Sequence, residues 1–231
     1  MDWTKERETW PYAVHSRFVL SKPHRWHIQD IGHGPLLLLI HGAGGSTHSW
    51  QHLMPHLIQE FRVVSVDLPG QGFSQLGAQQ RCGLDGMAQD LIALCVAENL
   101  LPEAIIGHSA GAAIALRISE LNAQLEVPII GINAALDTFK GVAGALFPIL
   151  AKTIAALPFA SDVFSMKASK GNTVDRIISG TGSKLAPADL KFYRRLVASR
   201  THVNATLQMM AQWRLEPLIA HLPRIQSPTL L

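Results

Sequence analysis

Long apolar runs are missing from this 231-residue sequence, although its mean hydropathy of +0.17 is high. A membrane-spanning helix needs roughly 18 or more consecutive apolar residues, and no segment reaches that length, so we predict no transmembrane segment. Residues 1–8 are charged and lack the apolar core of a secretory signal. We therefore expect a cytoplasmic protein.

Charged residues are also scarce, at 16% of the chain, and they form no runs. The formal net charge is only +3 and the basic residues are scattered, so we expect no nucleic-acid partner. The two cysteines, Cys82 and Cys95, lack the spacing of metal ligands. We expect two free thiols, no metal site and no cofactor.

Residues 1–14 are interpreted as an irregular arm, and from residue 35 to residue 134 apolar segments alternate between strand-like and helix-like spacing. Two alternating stretches separated by Lys22-Pro23 predict an antiparallel hairpin. Continuous aliphatic runs predict strands buried on both faces of a parallel sheet. The sequence therefore predicts an α/β fold, with a mostly parallel sheet and helices on both faces. The predicted strands are Ser16–Leu20, Trp26–Ile31, Pro35–Ile40, Arg62–Leu68, Ala104–Ile106 and Val127–Ile132, and the predicted helices are Thr47–Gln59, Leu84–Leu100 and Ala110–Glu120.

The alternation stops at Asp137. Residues 141–157 are apolar almost all round, and Leu190–Met210 has a mixed helical pattern, so we predict a helical cap over residues 137–213. The core would then comprise residues 1–136, with a return to it over residues 214–231. The apolar stripe from Val142 to Leu157 would form the cap's own core or line a pocket for a flat, apolar ligand. Its low charge also permits weak peripheral contact with a membrane.

The motif Gly107-x-Ser109-x-Gly111 lies between a predicted strand and a predicted helix. This is the pattern of a nucleophile elbow, in which a sharp turn projects one serine from the sheet edge. The glycines let strand and helix approach closely. The helix that follows directs free N–H groups at developing negative charge.

Three loop motifs occur in a fixed order, followed by the predicted cap. A strand ends in His41-Gly42, the next in Asp67-x-Pro69-Gly70-x-Gly72-x-Ser74, and a third in the elbow. From about residue 15 onward, this combination resembles the α/β-hydrolase superfamily. The resemblance implies that Ser109 is the nucleophile and that the backbone N–H groups of Ala43 and Ala110 form an oxyanion hole.

Other residues near these motifs are assigned to the pocket rather than to the chemistry. We expect His41 and Gly42 to shape the loop after the third strand, and His108 and Trp50 to pack beside the site. We expect Asp67 and Ser74 to hold their own loop through hydrogen bonds. In the triad order of this superfamily, the acid follows the seventh or sixth strand and the histidine follows the eighth.

The acid and the base are not apparent in the sequence. We expect both to lie beyond Leu231, with the C-terminal strands of the fold missing from this chain. Asp137 is an alternative acid, or it caps the next helix. His202 and His221 are interpreted as residues of the cap or of a helix surface rather than as the base. Since serine without a base is a weak nucleophile, a degenerate hydrolase that binds without cutting remains the other explanation. We favour a fragment, because ending here leaves an apolar strand near an open sheet edge.

Three histidines, His48, His52 and His56, follow a helical spacing within the predicted helix Thr47–Gln59. Such a stripe could hold a metal, but Pro55 interrupts it, so a solvated or partly packed helix face is the preferred interpretation.

A narrower resemblance rests on five segments of the chain: His15–Val19, Leu36–His41, Ser46–Trp50, Gly107–Leu116 and Asn133–Ala135. These segments are similar to the magnesium-chelatase accessory proteins of bacteriochlorophyll biosynthesis. The resemblance implies a role beside magnesium insertion into protoporphyrin, with chelatase subunits or a porphyrin as partner and a tetrapyrrole held beneath the cap. The alternative is a serine hydrolase acting on an ester or amide of an apolar small molecule.

Overall fold

The computed structural model describes residues 1–136, 173–180 and 183–231. Within them, seven strands form one sheet in the order β1-β2-β4-β3-β5-β6-β7. The strands β1 and β2 form an antiparallel hairpin, and β2 also pairs antiparallel with β4; all other pairs are parallel. The mostly parallel sheet with an N-terminal hairpin is thus confirmed. The strands are β1 Ser16–Ser21, β2 His24–Ile31, β3 Leu36–Ile40, β4 Arg62–Val66, β5 Ala104–His108, β6 Ile129–Ile132 and β7 Thr229–Leu230.

Helices pack against both faces of this sheet. The longest helices of the core, α3 and α4, cover one face, where the larger apolar cluster lies. Trp50 and Met54 cover the other face, against Leu39 and Ile106. No helix in the described ranges is long and apolar enough to cross a membrane. The α-helices are α1 Trp3–Glu6, α2 Met54–Leu57, α3 Leu84–Ala97, α4 Ala110–Leu121, α5 Thr173–Gly180, α6 Pro187–Ala198, α7 Arg200–Gln212 and α8 Glu216–His221, and single 3₁₀ turns span Ala13–His15, Thr47–Trp50, Gln79–Arg81, Ala123–Leu125 and Leu222–Arg224.

The register of the central strands positions the functional loops. All five residues of β3 are buried, as expected of a strand covered on both faces. This strand pairs with β5 so that Ile40 lies opposite Gly107. Because parallel strands end at the same edge of a sheet, the loop that follows Ile40 lies beside the turn that follows His108.

One predicted helix is wrong as a single element. The segment Thr47–Gln59 splits into a 3₁₀ turn and α2, with Pro55 in the first turn of α2. Proline fits there because its missing N–H needs no intrahelical acceptor. His48, His52 and His56 therefore do not share one helix face. The mixed helical pattern over Leu190–Met210 is confirmed as helical, and extended backbone at Ser199 divides it into α6 and α7.

The N-terminal arm packs against the hairpin and the loop after β4. Trp10 is buried in an aromatic cluster with Phe73 and Phe192. Trp3, in α1, packs edge-on against Phe73. Much of the predicted cap, including Asp137 and the stripe Val142–Leu157, lies outside the described residues. The proposed division into core and cap therefore stays a prediction.

Candidate active site

The turn at Ser109 has the strained backbone of a nucleophile elbow. Ser109 has φ 53° and ψ −116°, a region that L residues rarely adopt. Its flanking glycines are required by close packing. A Cβ at Gly111 would lie 2.0 Å from the carbonyl oxygen of Ile40, and a Cβ at Gly107 would lie 2.4 Å from the backbone nitrogen of Ala112. The strand, the turn and α4 therefore meet too closely for any side chain at these two positions.

The loop after β3 lies in contact with this turn. A Cβ placed at Gly42 would lie 3.0 Å from the Cβ of Ser109 and 3.1 Å from Nδ1 of His108. His41 is fully buried, and its Nε2 accepts a hydrogen bond from the N–H of Leu68 (3.0 Å). Its Nδ1–H therefore donates to the carbonyl of Gly42 (2.7 Å). Both ring nitrogens of His41 thus hold backbone in place.

Two backbone amides beside Ser109 remain available to a ligand. In the described part of the chain, neither the N–H of Ala43 nor that of Ala110 donates a hydrogen bond, and Ala43 is exposed. Ala110 is the first residue of α4, where the helix N-terminus favours negative charge. Such donors can stabilise an oxyanion by roughly 3 kcal/mol each. The oxyanion-hole assignment itself stays a prediction.

The hydroxyl of Ser109 is accessible and has no hydrogen-bond partner among residues 1–136, 173–180 and 183–231. His108, next to it, is half-buried, and burial lowers its pKa. No histidine of these ranges donates to or accepts from the Ser109 hydroxyl. The described residues therefore place Ser109 beside two backbone amides that donate no hydrogen bond, without a histidine bonded to the serine; its role as nucleophile stays a prediction.

The loop after β4 is organised around a buried carboxylate. Asp67 accepts hydrogen bonds from the N–H groups of Thr47 (2.7 Å) and Phe73 (2.8 Å), and from Nδ1 of His27 (2.7 Å). Burial opposes the charged form, but the His27 ring and these donors hold the pKa of Asp67 below its usual value. A Cβ at Gly72, which has φ 53°, would lie 2.2 Å from the Asp67 carboxylate.

Ser74 completes this loop. Its hydroxyl donates to the carbonyl of Asp67 (2.7 Å) and accepts from the N–H of His27 (2.8 Å). The predicted loop-holding roles of Asp67 and Ser74 are confirmed by these bonds. The loop therefore has a fixed shape where it borders the site.

His202 joins the loops that follow β3 and β4. It lies on α7, where we expected a surface or cap residue, but it is buried. Its Nδ1 accepts from the N–H of Gly72 (3.0 Å), so its Nε2 carries the proton and donates to the carbonyl of Gly44 (3.2 Å). Burial and the neighbouring His41 lower the pKa of His202 to about 3. With both nitrogens used, His202 positions the loops and is not a free base.

Sequence reasoning also missed Gln71 and the burial of His48. Gln71 is buried, and its Oε1 accepts from the N–H of Gly44 (2.8 Å). His48 is buried rather than solvated; its Nδ1 shares a hydrogen bond with the Ser46 hydroxyl (2.6 Å), and burial lowers its pKa to about 3. One sequence signal indicates the buried face of α7: the helical spacing of His202, Ala205 and Met209.

The remaining predicted residues lie away from Ser109 or outside the described ranges. Trp50 is buried in the cluster on the sheet face opposite α4, so its assignment to the pocket stays a prediction. His221 bonds to Glu120, at the far end of α4, about 15 Å along the helix from the elbow. Asp137 is not among the described residues. Within the described residues, no group of three or more histidine, cysteine or carboxylate side chains is arranged to hold a metal ion.

Comparison with known proteins identifies relatives of the whole chain. The chain is 43% identical over 227 residues to the magnesium-chelatase 30 kDa subunit of Rhodobacter capsulatus, covering 96% of this chain and 78% of that protein. It is 29% identical over 214 residues to a pimeloyl-[acyl-carrier protein] methyl ester esterase of Vibrio vulnificus (strain CMCP6), covering 88% and 76%.

Solved structures share the fold at low sequence identity. A laboratory-evolved variant of a potato epoxide hydrolase superposes with a TM-score of 0.70 at 18% identity, covering 93% of this chain and 79% of that one. A sequence profile of the alpha/beta hydrolase family matches residues 37–231, which include the elbow, both neighbouring loops and the described helices of the predicted cap. The chain therefore belongs to the alpha/beta hydrolase family.

Proposed function

We propose that this protein is an accessory protein of magnesium chelatase in bacteriochlorophyll, that is, tetrapyrrole, biosynthesis. One observation carries the proposal: the 43% identity to a magnesium-chelatase subunit extends over 96% of the chain. A relative named as an esterase is similar over 88% of the chain, at 29% identity. An accessory role needs binding to the chelatase or its substrate and does not need a catalytic base at Ser109. We place this role in the cytoplasm, with weak peripheral contact with a membrane.

A binding experiment with purified components tests this role. The tagged chain is mixed with each purified magnesium-chelatase subunit, and complexes are separated by size-exclusion chromatography. We expect co-elution with at least one subunit at physiological salt. The Ser109→Ala variant should bind equally well. The Vibrio esterase serves as a matched control, because it is similar over 88% of this chain and is named as an esterase. Absence of co-elution with every subunit would contradict the accessory role.

Serine-dependent hydrolysis of an ester or amide of an apolar small molecule is the second candidate. The strained backbone of Ser109 favours it, as do the Ser109 hydroxyl and the amides of Ala43 and Ala110, which have no hydrogen-bond partner among the described residues. A fluorophosphonate probe distinguishes the two candidates, because it forms a covalent bond only with an activated serine. Labelling of the wild type but not of Ser109→Ala would support hydrolysis. Wild-type protein that stays unlabelled while it binds a chelatase subunit would exclude hydrolysis as its function.

A further inference from the structure

A large cavity lies on the hairpin side of the molecule, between the N-terminal arm, the loop after β4 and the start of α7. Its volume is about 1020 Å³, at the upper end of the roughly 300–1,000 Å³ typical of small-molecule sites. None of its lining residues belongs to the elbow or to the loop after β3. It is therefore a second candidate site, separate from Ser109.

Aromatic rings form one wall of this cavity. Trp3, Phe18 and Phe73 all line it, together with Leu76. Trp3 packs edge-on against Phe73 (ring centroids 4.8 Å apart) and against Phe18 (5.8 Å). These contacts hold the rings in fixed orientations, so the wall is formed before any ligand arrives. Preformed aromatic walls favour flat, unsaturated ligands, which can stack against them.

Arg25 supplies an unused positive charge beside that wall. Its guanidinium lies 4.1 Å from the centroid of the Phe18 ring, which orients it by a cation–π contact. In the described parts of the chain, no carboxylate pairs with it. The other charged side chain on the wall, Asp2, instead accepts hydrogen bonds from Thr4 at the start of α1. An oriented, unpaired guanidinium matches a carboxylate.

A buried polar atom without a partner lies directly behind the same wall. His27 is fully buried, and its Nδ1 bonds to Asp67. Its Nε2, on the other side of the ring, has no hydrogen-bond partner among the residues that the structure describes. The ring is enclosed by Trp3, Phe18 and Phe73, at centroid distances of 5.1, 5.3 and 5.2 Å. The cavity thus combines an aromatic surface with one oriented charge, and the buried nitrogen of His27 lies behind that surface rather than in the lining.

We propose that this cavity binds a flat, unsaturated molecule that carries a carboxylate, with its rings against Trp3 and Phe73 and its carboxylate on Arg25. A tetrapyrrole carboxylate has this chemistry, and that identification rests on the proposed function. The site lies at the arm and the hairpin rather than over Ser109, although α7, a helix of the predicted cap, contributes Thr201 and Asn204 to its lining. The cavity walls come from the arm, the hairpin, the loop after β4 and α7, all of which are described.

Protoporphyrin IX, a dicarboxylate, and its uncharged dimethyl ester are the probes. Each is titrated with the intact chain, and the anisotropy of the probe's own fluorescence is recorded. We expect saturable binding of the dicarboxylate at one site per chain. Arg25→Gln should weaken it about fivefold, the effect of an exposed ion pair, and leave the ester unaffected. Trp3→Ala should weaken both probes. Arg7→Gln, an exposed arginine that does not line the cavity, is the matched control and should change nothing.

Three results would overturn the site. The first is that the dicarboxylate shows no saturable binding. The second is that Arg25→Gln and Arg7→Gln bind the dicarboxylate with equal affinity. The third is that Ser109→Trp abolishes binding, which would place the probe at the elbow. Since Arg25 is exposed, its substitution leaves the fold intact even if Trp3→Ala loosens the arm. Co-elution with chelatase subunits is measured without any porphyrin. Failure of the cavity therefore remains distinguishable from failure of the accessory role.

Discussion

Replacing His202 tests how the site is held together. This side chain bridges the loops after β3 and β4 through Gly44 and Gly72, across 158 and 130 residues of sequence. It lies on α7, whose Thr206 also approaches Gly44. If the bridge positions the loop that carries Ala43, then losing it should both destabilise the fold and displace the N–H of Ala43 beside Ser109.

The expected magnitude follows from the groups left unpaired. In His202→Ala, the buried N–H of Gly72 loses its acceptor, at a cost of about 1–3 kcal/mol. The carbonyl of Gly44 is only half-buried and can bond to water instead. The lost imidazole also leaves a cavity. We expect a total destabilisation of about 3 kcal/mol. Asparagine places an oxygen near the position of Nδ1, so His202→Asn should lose less.

Urea unfolding followed by circular dichroism provides the measurement. With a slope of about 3 kcal/mol per molar urea, His202→Ala should lower the midpoint by about 1 M. The control is His52→Ala, because that side chain is 77% exposed and, within the described ranges, bonds only to Asp189. Equal midpoints for the two alanine variants would refute the bridging role. The same would follow if His202→Asn were as unstable as His202→Ala.

Three further predictions follow from the buried groups. Since His48 and His202 have pKa values of about 3 when folded and about 6.5 when unfolded, the unfolded state binds more protons below pH 6.5. The free energy of unfolding, measured by urea titration, should therefore be highest above pH 6.5. On acidification it should fall by up to about 2.7 kcal/mol per pH unit. His202→Asn removes one of the two histidines and should halve this dependence on pH. Gly111→Ala should prevent stable folding, because its Cβ would meet a main-chain oxygen of β3. Gly180→Ala is the control, because no described atom lies within 4 Å of the added Cβ, and it should be neutral or stabilising in thermal unfolding. Asp67→Asn should cost about 3–5 kcal/mol in urea unfolding, because it breaks a buried, paired charge.

Features set by local backbone rules could be predicted from the sequence. The elbow at Ser109 follows from two glycines between an aliphatic strand and a helix, and the structure gives it positive φ. The roles of Asp67 and Ser74 follow from their places in a Gly-rich turn. The continuous aliphatic run Leu36–Ile40 predicted a strand buried on both faces, and β3 is one.

Features set by contacts distant in sequence could not be predicted. Whether His202 lies at the surface or is buried depends on where α7 packs, and its partners are more than a hundred residues away. The burial of His48 depends on contacts with Phe192 and Tyr193 of α6. The pairing of His27 with Asp67 depends on β2 lying beside β4, a neighbour relation that strand periodicity does not specify.

The rate of magnesium insertion into protoporphyrin tests the proposed function most directly. Purified chelatase subunits are assayed with increasing amounts of this chain, and the Vibrio esterase is added in parallel as the fold control. The account predicts a saturable increase in rate with this chain, retained in Ser109→Ala and absent with the esterase. Cooperative unfolding first shows that the added protein is native. If the rate of magnesium insertion then stays unchanged across the full titration, the proposed function is contradicted.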